Sequence, residues 1–455
     1  MSVVDNETIE RDRKHVWHHL SQHSVLTSQD PMIMVKGEGS RVWDIKGNSY
    51  LDASAGGVWC VNVGYGRTSI GDAIRDQVCK INFFASTAGT IPGAIFAEKL
   101  ISKMPGMSRV YYASSGSEAN EKAFKIVRQI SHKKYGGKKY KILYRERDYH
   151  GSTIATLSAT GQEERRDQYG PFVPGFVEFP HCCEYRSQFG DVDNYGELAA
   201  LELEKAILRE GADTVGAVIL EPITAGGGVI TPPEGYWPKI MEICKKYNVL
   251  LHIDEVVCGL GRTGEWFGYQ HYGIKPDIVT LAKGVASSYA AISCTVTTEA
   301  VFNEFLGESS DKDVYFRDIS TYAGCTGGPA AAIENMRIIE DEDLVTNSAV
   351  MGKYLLEGLD RLKEKFDIIG DVRGKGLLLG IELVSDRQAK TPVPEQVAAK
   401  VAGMCMQKGL IIGRTNRSFE KFNNTLCLCP VLTLNQTEAD FILSTLDAVF
   451  TELPA

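Results

Sequence analysis

The sequence lacks most of the features that mark specialised protein classes, and each absence removes a function. No stretch reaches the ~18 consecutive apolar residues that a membrane-crossing helix requires. No internal repeat or low-complexity segment is present, which sets aside solenoids, fibres and long linkers. Positive charge is in the minority: Lys plus Arg total 49 against 58 Asp plus Glu, and the net charge of -9 repels phosphate backbones and anionic membranes. Nucleic acid and membrane are therefore not expected as partners. The 11 cysteines contain no Cys-x-x-Cys pair; Cys182 and Cys183 are adjacent, and Cys427 and Cys429 are separated by one residue. An odd, unpatterned set of thiols is expected to be reduced, with no disulfide and no metal site. Residues 1–13 carry Asp5, Glu7, Glu10 and Asp12 and no apolar run, so neither a signal nor a transit peptide is expected and the chain reads as cytoplasmic.

What remains is the composition of a compact folded chain, 44% hydrophobic and 24% charged over 455 residues, too long for one ordinary core. Through the middle, short β-branched runs alternate with longer amphipathic segments, which predicts an α/β domain with a mostly parallel sheet covered by helices. The strands are expected at 109–112, 141–145, 215–221, 249–254, 277–281 and 291–295, and helices at 119–132, 196–210 and 236–247. The flanks at 34–52 and 367–384 read as glycine-broken hairpin strands, followed by 396–408, two strand-like runs and a helix from about Thr437. The expected division is an N-terminal segment at 1–74, a large domain at 75–325 and a C-terminal part at 326–455 that joins the N-terminal segment in one small α+β domain.

Three elements carry chemistry. Tyr-Tyr-Ala-Ser-Ser-Gly-Ser-Glu-Ala-Asn-Glu at 111–121 runs from a strand through a Ser/Gly turn into a helix, whose positive end suits a phosphate. The plainer reading is a capping box of Ser115 with Glu118, and the absence of a Walker lysine excludes a P-loop. Val-Leu-Leu-His-Ile-Asp-Glu-Val at 249–256 ends an apolar strand in Asp254 and Glu255, a pair open to metal, acid/base or merely solvated roles. Asp-Ile-Val-Thr-Leu-Ala-Lys-Gly at 277–284 ends the next strand in Lys283, where partial desolvation favours the neutral, nucleophilic amine. A phosphate site, an acid and a lysine on consecutive strands together fit pyridoxal 5'-phosphate, held by Lys283 as a Schiff base with Asp254 against its ring nitrogen.

The sequence also resembles a known family, the class III aminotransferases of fold-type I pyridoxal-phosphate enzymes, over nearly its whole length. The resemblance is carried by Leu-His-Ile-Asp-Glu-Val-Val-Cys-Gly-Leu-Gly-Arg-Thr-Gly-Glu-Trp-Phe at 251–267, the 29-residue interval from Asp254 to Lys283, Ser-Gly-Ser-Glu at 115–118, Tyr-His-Gly at 149–151, Glu221-Pro222 and Arg-Gly-Lys-Gly-Leu at 373–377. It implies that Lys283 and Asp254 are catalytic. It implies cofactor contacts from Ser115, Gly116, Ser117, Tyr149 stacked on one ring face, Glu221, Val256 on the other face, and Thr321 reaching across from a partner subunit. A homodimer, possible as half of a tetramer, follows from the last of these.

For substrates, the resemblance implies a small amine and a keto acid. Gly226 stands where relatives that use 2-oxoglutarate often carry an acid, so pyruvate is the expected acceptor and alanine the product. Trp59, Phe84 and Tyr149 are the expected pocket walls, and Arg417 and Arg414 the expected anion binders. Asp-Ala-Ser-Ala-Gly-Gly-Val-Trp at 52–59, Arg-Asp-Ile-Ser-Thr at 317–321 and Thr-Asn-Arg at 415–417 resemble the taurine-using branch, which implies sulfoacetaldehyde as the other product. Broader ω-amine donors such as β-alanine, 4-aminobutyrate or aryl-alkyl amines stay open, as do an aminomutase, racemase or decarboxylase on the same fold. His15, His19 and His23 fall at helical spacing and are expected to form a polar helix face rather than a metal site, and the basic run at 131–139 is expected to be a solvated loop.

Overall fold

The computed structural model describes residues 3–311, 314–415 and 424–453. Its first strands, β1 (Met34–Glu38), β2 (Arg41–Asp44) and β3 (Ser49–Asp52), form an antiparallel meander. The chain then lays down β4 (Met107–Ala113), β5 (Lys141–Arg145), β6 (Phe176–Phe179), β7 (Val215–Leu220), β8 (Leu250–Asp254), β9 (Ile278–Leu281) and β10 (Ser293–Thr298). These seven assemble in the order β4-β10-β9-β8-β7-β5-β6. β10 runs against both neighbours, and the remaining adjacent pairs are parallel. The α/β architecture with a mixed, mostly parallel sheet is thus the one its alternating sequence predicts.

Burial explains why the sheet holds. β7, Val-Gly-Ala-Val-Ile-Leu, is buried at every position, as a strand covered on both faces must be. Successive side chains go to opposite layers: Ile142, Tyr144, Ala217 and Ile219 pack with Ala123, Phe124 and Val127, whereas Leu143, Val218 and Leu220 pack with Leu203, Trp237 and Ile240. The first layer is the helix Gly116–Tyr135, which starts at the Ser115 N-cap and stops at Gly136 in the left-handed conformation (φ 58°). The second is made by the helices Tyr195–Glu210 and Tyr236–Tyr247, the latter ended by Asn248 at φ 52°.

The C-terminal strands are β11 (Ile369–Lys375), β12 (Leu378–Asp386), β13 (Thr391–Pro392), β14 (Leu410–Ile411), β15 (Gly413–Arg414) and β16 (Thr425–Leu428). They make a second sheet in the order β11-β12-β16-β15, while β14 leaves it to pair in parallel with β3. That pairing brings the loop after β3 beside the C-terminal strands. Among the described residues no helix is long and apolar enough to cross a membrane.

Three sequence expectations need correction. β6 was not foreseen, because Phe176–Phe179 is only four residues long between Pro174 and Pro180. The histidines share no helix face: the first helix ends at His15, the chain turns at Leu20 (φ 51°), and His23 opens another helix. The basic run is not a solvated loop, since Ser131 to Tyr135 finish a helix and Lys139 is buried, its ammonium donating to the carbonyls of Tyr247 (2.9 Å) and Asn248 (2.7 Å). Burial pulls the Lys139 ammonium below the ordinary lysine range.

Candidate active site

The carboxyl ends of five strands deliver the site, the place where open α/β sheets bind ligands. Ser115 to Ser117 follow β4, Tyr149 follows β5, Glu221 follows β7, Asp254 ends β8 and Lys283 follows β9. Gly116, Ser117, Tyr149, Glu221, Asp254, Val256 and Lys283 line one cleft, together with Asn120, His150 and Ala282. A larger cleft, about 1030 Å³, lies between His181–Tyr195 residues and Asp371, Arg373 and Lys390, but it contains none of these side chains. Chemistry, not size, selects the site.

Asp254 is buried and anchored. Its Oδ2 accepts from Asn120 Nδ2 (2.8 Å) and from His150 Nδ1 (2.8 Å), and its Oδ1 accepts from the Val256 N–H (3.0 Å). Burial alone raises its pKa, but the His150, Asn120 and Val256 donors outweigh that, and the carboxyl stays below its ordinary value. Behind it runs a one-way chain of donors. His252 Nε2 donates to Thr280 Oγ1 (3.0 Å), Thr280 Oγ1 donates to Asn120 Oδ1 (2.7 Å), and Asn120 passes its N–H groups to Asp254 and to the His150 carbonyl (2.7 Å). The direction requires a proton on His252 Nε2, and burial pushes the imidazole pKa down to about 3, so the neutral ring carries it. Glu255 turns the other way: its two oxygens accept from the Gly268 and Tyr269 N–H groups (2.9 and 2.7 Å), and burial raises its pKa to about 8. The two adjacent acids therefore have separate tasks, one facing the cleft and one bracing a loop.

Lys283 sits in the left-handed region (φ 46°), strain of the kind that collects at functional sites. Its Nζ lies 5.7 Å from the centre of the Trp59 ring and makes no hydrogen bond or ion pair with the described residues. Glu221 is buried, with Oε1 accepting from the Tyr149 N–H (2.9 Å) and Oε2 from the Ala225 N–H (3.0 Å), so it fixes the backbone that carries Tyr149. Burial, followed by the nearby Asp148 and Asp254 carboxyls, holds its pKa well above the ordinary carboxylate range. At the other end of the cleft, Ser115 Oγ accepts from the Glu118 N–H (3.2 Å) while Glu118 Oε2 accepts from the Ser114 N–H (2.9 Å). The cap leaves the first-turn N–H groups of Gly116 and Ser117 without intrahelical acceptors, so the capping and anion-binding readings coexist. A Cβ on Gly116 would lie 3.1 Å from both methyls of Val256, which explains glycine at that wall.

Phe84, Thr321 and Arg414 are not among the residues that line this cleft. Thr321 and Phe84 are exposed and sit together elsewhere, where the Phe84 N–H donates to the Gly324 carbonyl (3.2 Å). Arg414 Nη1 donates to Glu395 (2.7 Å) in an ion pair. Arg417 lies outside the described residues. Trp59 does reach the site, at φ 63° on a loop held by Asp52, whose oxygens accept from Ser54 N–H (2.8 Å), Gly56 N–H (2.7 Å) and Tyr65 O–H (2.6 Å). Sequence reasoning passed over Asn120 and His150, although both lie inside motifs it singled out.

With this geometry in place, comparison with known proteins is informative. The model of the family described as aminotransferase class-III matches residues 24–450. The chain belongs to the class III aminotransferases, α/β enzymes of fold-type I whose members depend on pyridoxal phosphate. Among its relatives, a hypotaurine/taurine–pyruvate aminotransferase of Paracoccus denitrificans is 62% identical, over 98% of this chain and 97% of that one. A taurine–pyruvate aminotransferase of Bilophila wadsworthia is 60% identical, over 99% and 98% of the two chains. An omega transaminase from Pseudomonas jessenii, solved in complex with PMP, superposes with a TM-score of 0.92 at 33% identity, covering 100% of this chain and 98% of that one.

Proposed function

We propose that this aminotransferase moves the amino group of taurine, or of its sulfinate analogue hypotaurine, to pyruvate, giving the aldehyde (sulfoacetaldehyde from taurine) and L-alanine, with pyridoxal 5'-phosphate bound at Lys283. The observation that carries the chemistry is the pairing of Lys283 Nζ, an amine with no hydrogen bond to the described residues, with a carboxylate, Asp254, that three donors keep ionised in the same cleft. The donor rests on the high identity to enzymes named for taurine.

The cleft fits the cofactor. Gly116 and Ser117 offer helix N-terminal N–H groups to a phosphate, Tyr149 and Val256 stand as walls for a planar ring, and Asp254 Oδ atoms can take one more donor from a ring N–H. When bound, the pyridine ring supplies an electron sink for the electrons released as the amine-bearing carbon loses its proton. Lys283 Nζ takes that proton and, as the ammonium, returns it, acting as general base and then general acid. Asp254 keeps the opposing ring nitrogen charged, and Trp59 closes one side of the cleft to water. Residues 75–325 form the cofactor-binding part in this reading, and the exposed surface around Phe84, Ile319, Thr321 and Tyr322 meets a second copy of the chain in a homodimer.

A donor panel with pyruvate as acceptor tests the reading: taurine, hypotaurine, β-alanine, 4-aminobutyrate and 1-phenylethylamine. Taurine or hypotaurine should give the highest kcat/KM. A plain aryl-alkyl amine ranking above both overturns the donor assignment, and turnover without any keto acid overturns transamination itself.

A further inference from the structure

Lys283 opens a short turn that no strand supports. Lys283, Ser287 and Ser288 all take positive φ (46°, 46° and 62°), and Gly284, Val285 and Ala286 between them are buried. A buried segment that leaves its sheet must find partners for its carbonyls elsewhere. Two of them, on Gly284 and Val285, accept from one side-chain amide, Asn335 Nδ2, at 2.9 and 3.0 Å. The amide is fixed in that orientation, because its Oδ1 accepts from Ser287 Oγ (2.6 Å). The Ser287 hydroxyl in turn accepts from the Asn62 and Val63 N–H groups (3.2 and 3.1 Å). Asn62 is itself held: its Nδ2 donates to the Leu260 carbonyl (2.9 Å), and its Oδ1 accepts from Arg262 Nη2 (2.9 Å). Asn62 follows Trp59 by three residues, so one hydroxyl pins the turn of Lys283 to the loop whose indole lies 5.7 Å from its amine.

Asn335 is wholly buried midway along the helix Gly327–Asp341, whose other buried positions are Gly, Pro, Ala, Met and Ile. A leucine would fill the same place without an amide to desolvate, so packing alone gives no reason for asparagine. The amide adds direction. A lysine at positive φ is strained, and such strain persists only where the surroundings over-determine the backbone. Asn335 and Ser287 supply that determination at Gly284, Val285 and Ser287, directly after Lys283. Gly284 completes the fit, since a Cβ there would lie 2.5 Å from Asn62 Nδ2. The backbone conformation of Lys283 sets where its Nζ stands, and an amine that bonds a cofactor and then passes a proton works only from a narrow range of positions.

We propose that Asn335, acting with Ser287, is a positioning residue that holds Lys283 in its strained conformation and so fixes Nζ for bonding the cofactor and for proton transfer. The proposal rests on the assignment of Lys283 above. Two rates test it on the full chain. The first is the rate at which cofactor-free protein bonds pyridoxal 5'-phosphate at Lys283, followed by absorbance and located by borohydride trapping and peptide mass. The second is the single-turnover rate of the holoenzyme with L-alanine and with taurine, resolved into a saturating rate and an apparent dissociation constant; L-alanine keeps the test independent of the donor. Asn335→Leu should slow both the bonding step and the saturating rate about ten- to a hundredfold, with amine dissociation constants within about threefold of the parent. Ser287→Ala removes one hydroxyl and leaves the amide, and should slow both about three- to tenfold; it decides the matter by the same rates if Asn335→Leu does not fold. Met336→Ala takes buried volume from the same helix and no hydrogen bond from the turn, so it should lower Tm while both rates, per folded molecule, stay within about threefold of the parent. Parent rates retained in Asn335→Leu and Ser287→Ala, or an equal loss in Met336→Ala, overturn the proposal alone. Bonding of the cofactor at another lysine of the parent overturns the reading of Lys283, and the proposal with it.

Discussion

The floor and the wall of the cleft are built by different rules. The floor, Asp254 with Lys283, is set by the ends of two paired strands, β8 and β9, and Asp254 is backed by the hydrogen-bonded chain of His252, Thr280 and Asn120. The wall around Trp59 is loop: Ala55, Gly56, Gly57 and Trp59 all have positive φ, and Asp52 is the post that holds them. Strand register makes the floor rigid and common to the chemistry; loops make the wall adjustable and suited to specificity. Changes to the floor should therefore abolish rate, and changes to the wall should reorder substrates.

The largest effect is expected at Asp254. Asp254→Asn keeps the shape but removes the charge opposite the ring nitrogen, and single-turnover rates should fall about 10²–10³-fold at every pH tested. A loss of less than tenfold would place the essential charge elsewhere. His150→Ala should be milder, removing one of three donors to Asp254. The carboxyl then takes up a proton at higher pH, so the acid limb of kcat against pH should move up by about one unit, while the alkaline limb stays in place. An unmoved acid limb would show that His150 does not tune Asp254.

This contrast also explains what the sequence disclosed. Asp254 and Lys283 end consecutive apolar runs, so their proximity follows from strand order, and the parallel sheet was legible from the same alternation. His150 and Asn120 lay in motifs already in view, yet nothing local shows that their side chains turn toward a residue more than a hundred positions later. The Trp59, Gln162 and Gly226 wall joins three distant segments, and only the fold makes them neighbours. The pairing of Arg414 with Glu395 joins two further elements and was likewise not visible in the sequence.

On the wall, Asp52→Asn weakens the post beneath Trp59 and should raise the donor KM about tenfold with a smaller change in kcat. An equal fall in kcat would mean that the loop also serves the chemical step. The smallest effect concerns stability. Glu255 has a folded pKa of about 8 against an ordinary 4.5, so the neutral acid favours the fold; its contribution is complete below pH 4.5 and is lost as pH rises through 8. Glu255→Gln does not titrate but gives up one acceptor for the Gly268 and Tyr269 N–H groups. Its Tm should lie below the parent at pH 5, and the gap should narrow by about 2–4 °C by pH 8.5. A gap independent of pH would contradict the raised pKa.

The most direct measurement is chemical. The purified chain, incubated with pyridoxal 5'-phosphate, treated with borohydride and digested, should carry the reduced phosphopyridoxyl mass on the peptide containing Lys283, and brief exposure to the amine donor beforehand should remove it. A label on another lysine, or none at all, would contradict the assignment of Lys283 as the residue that holds the cofactor.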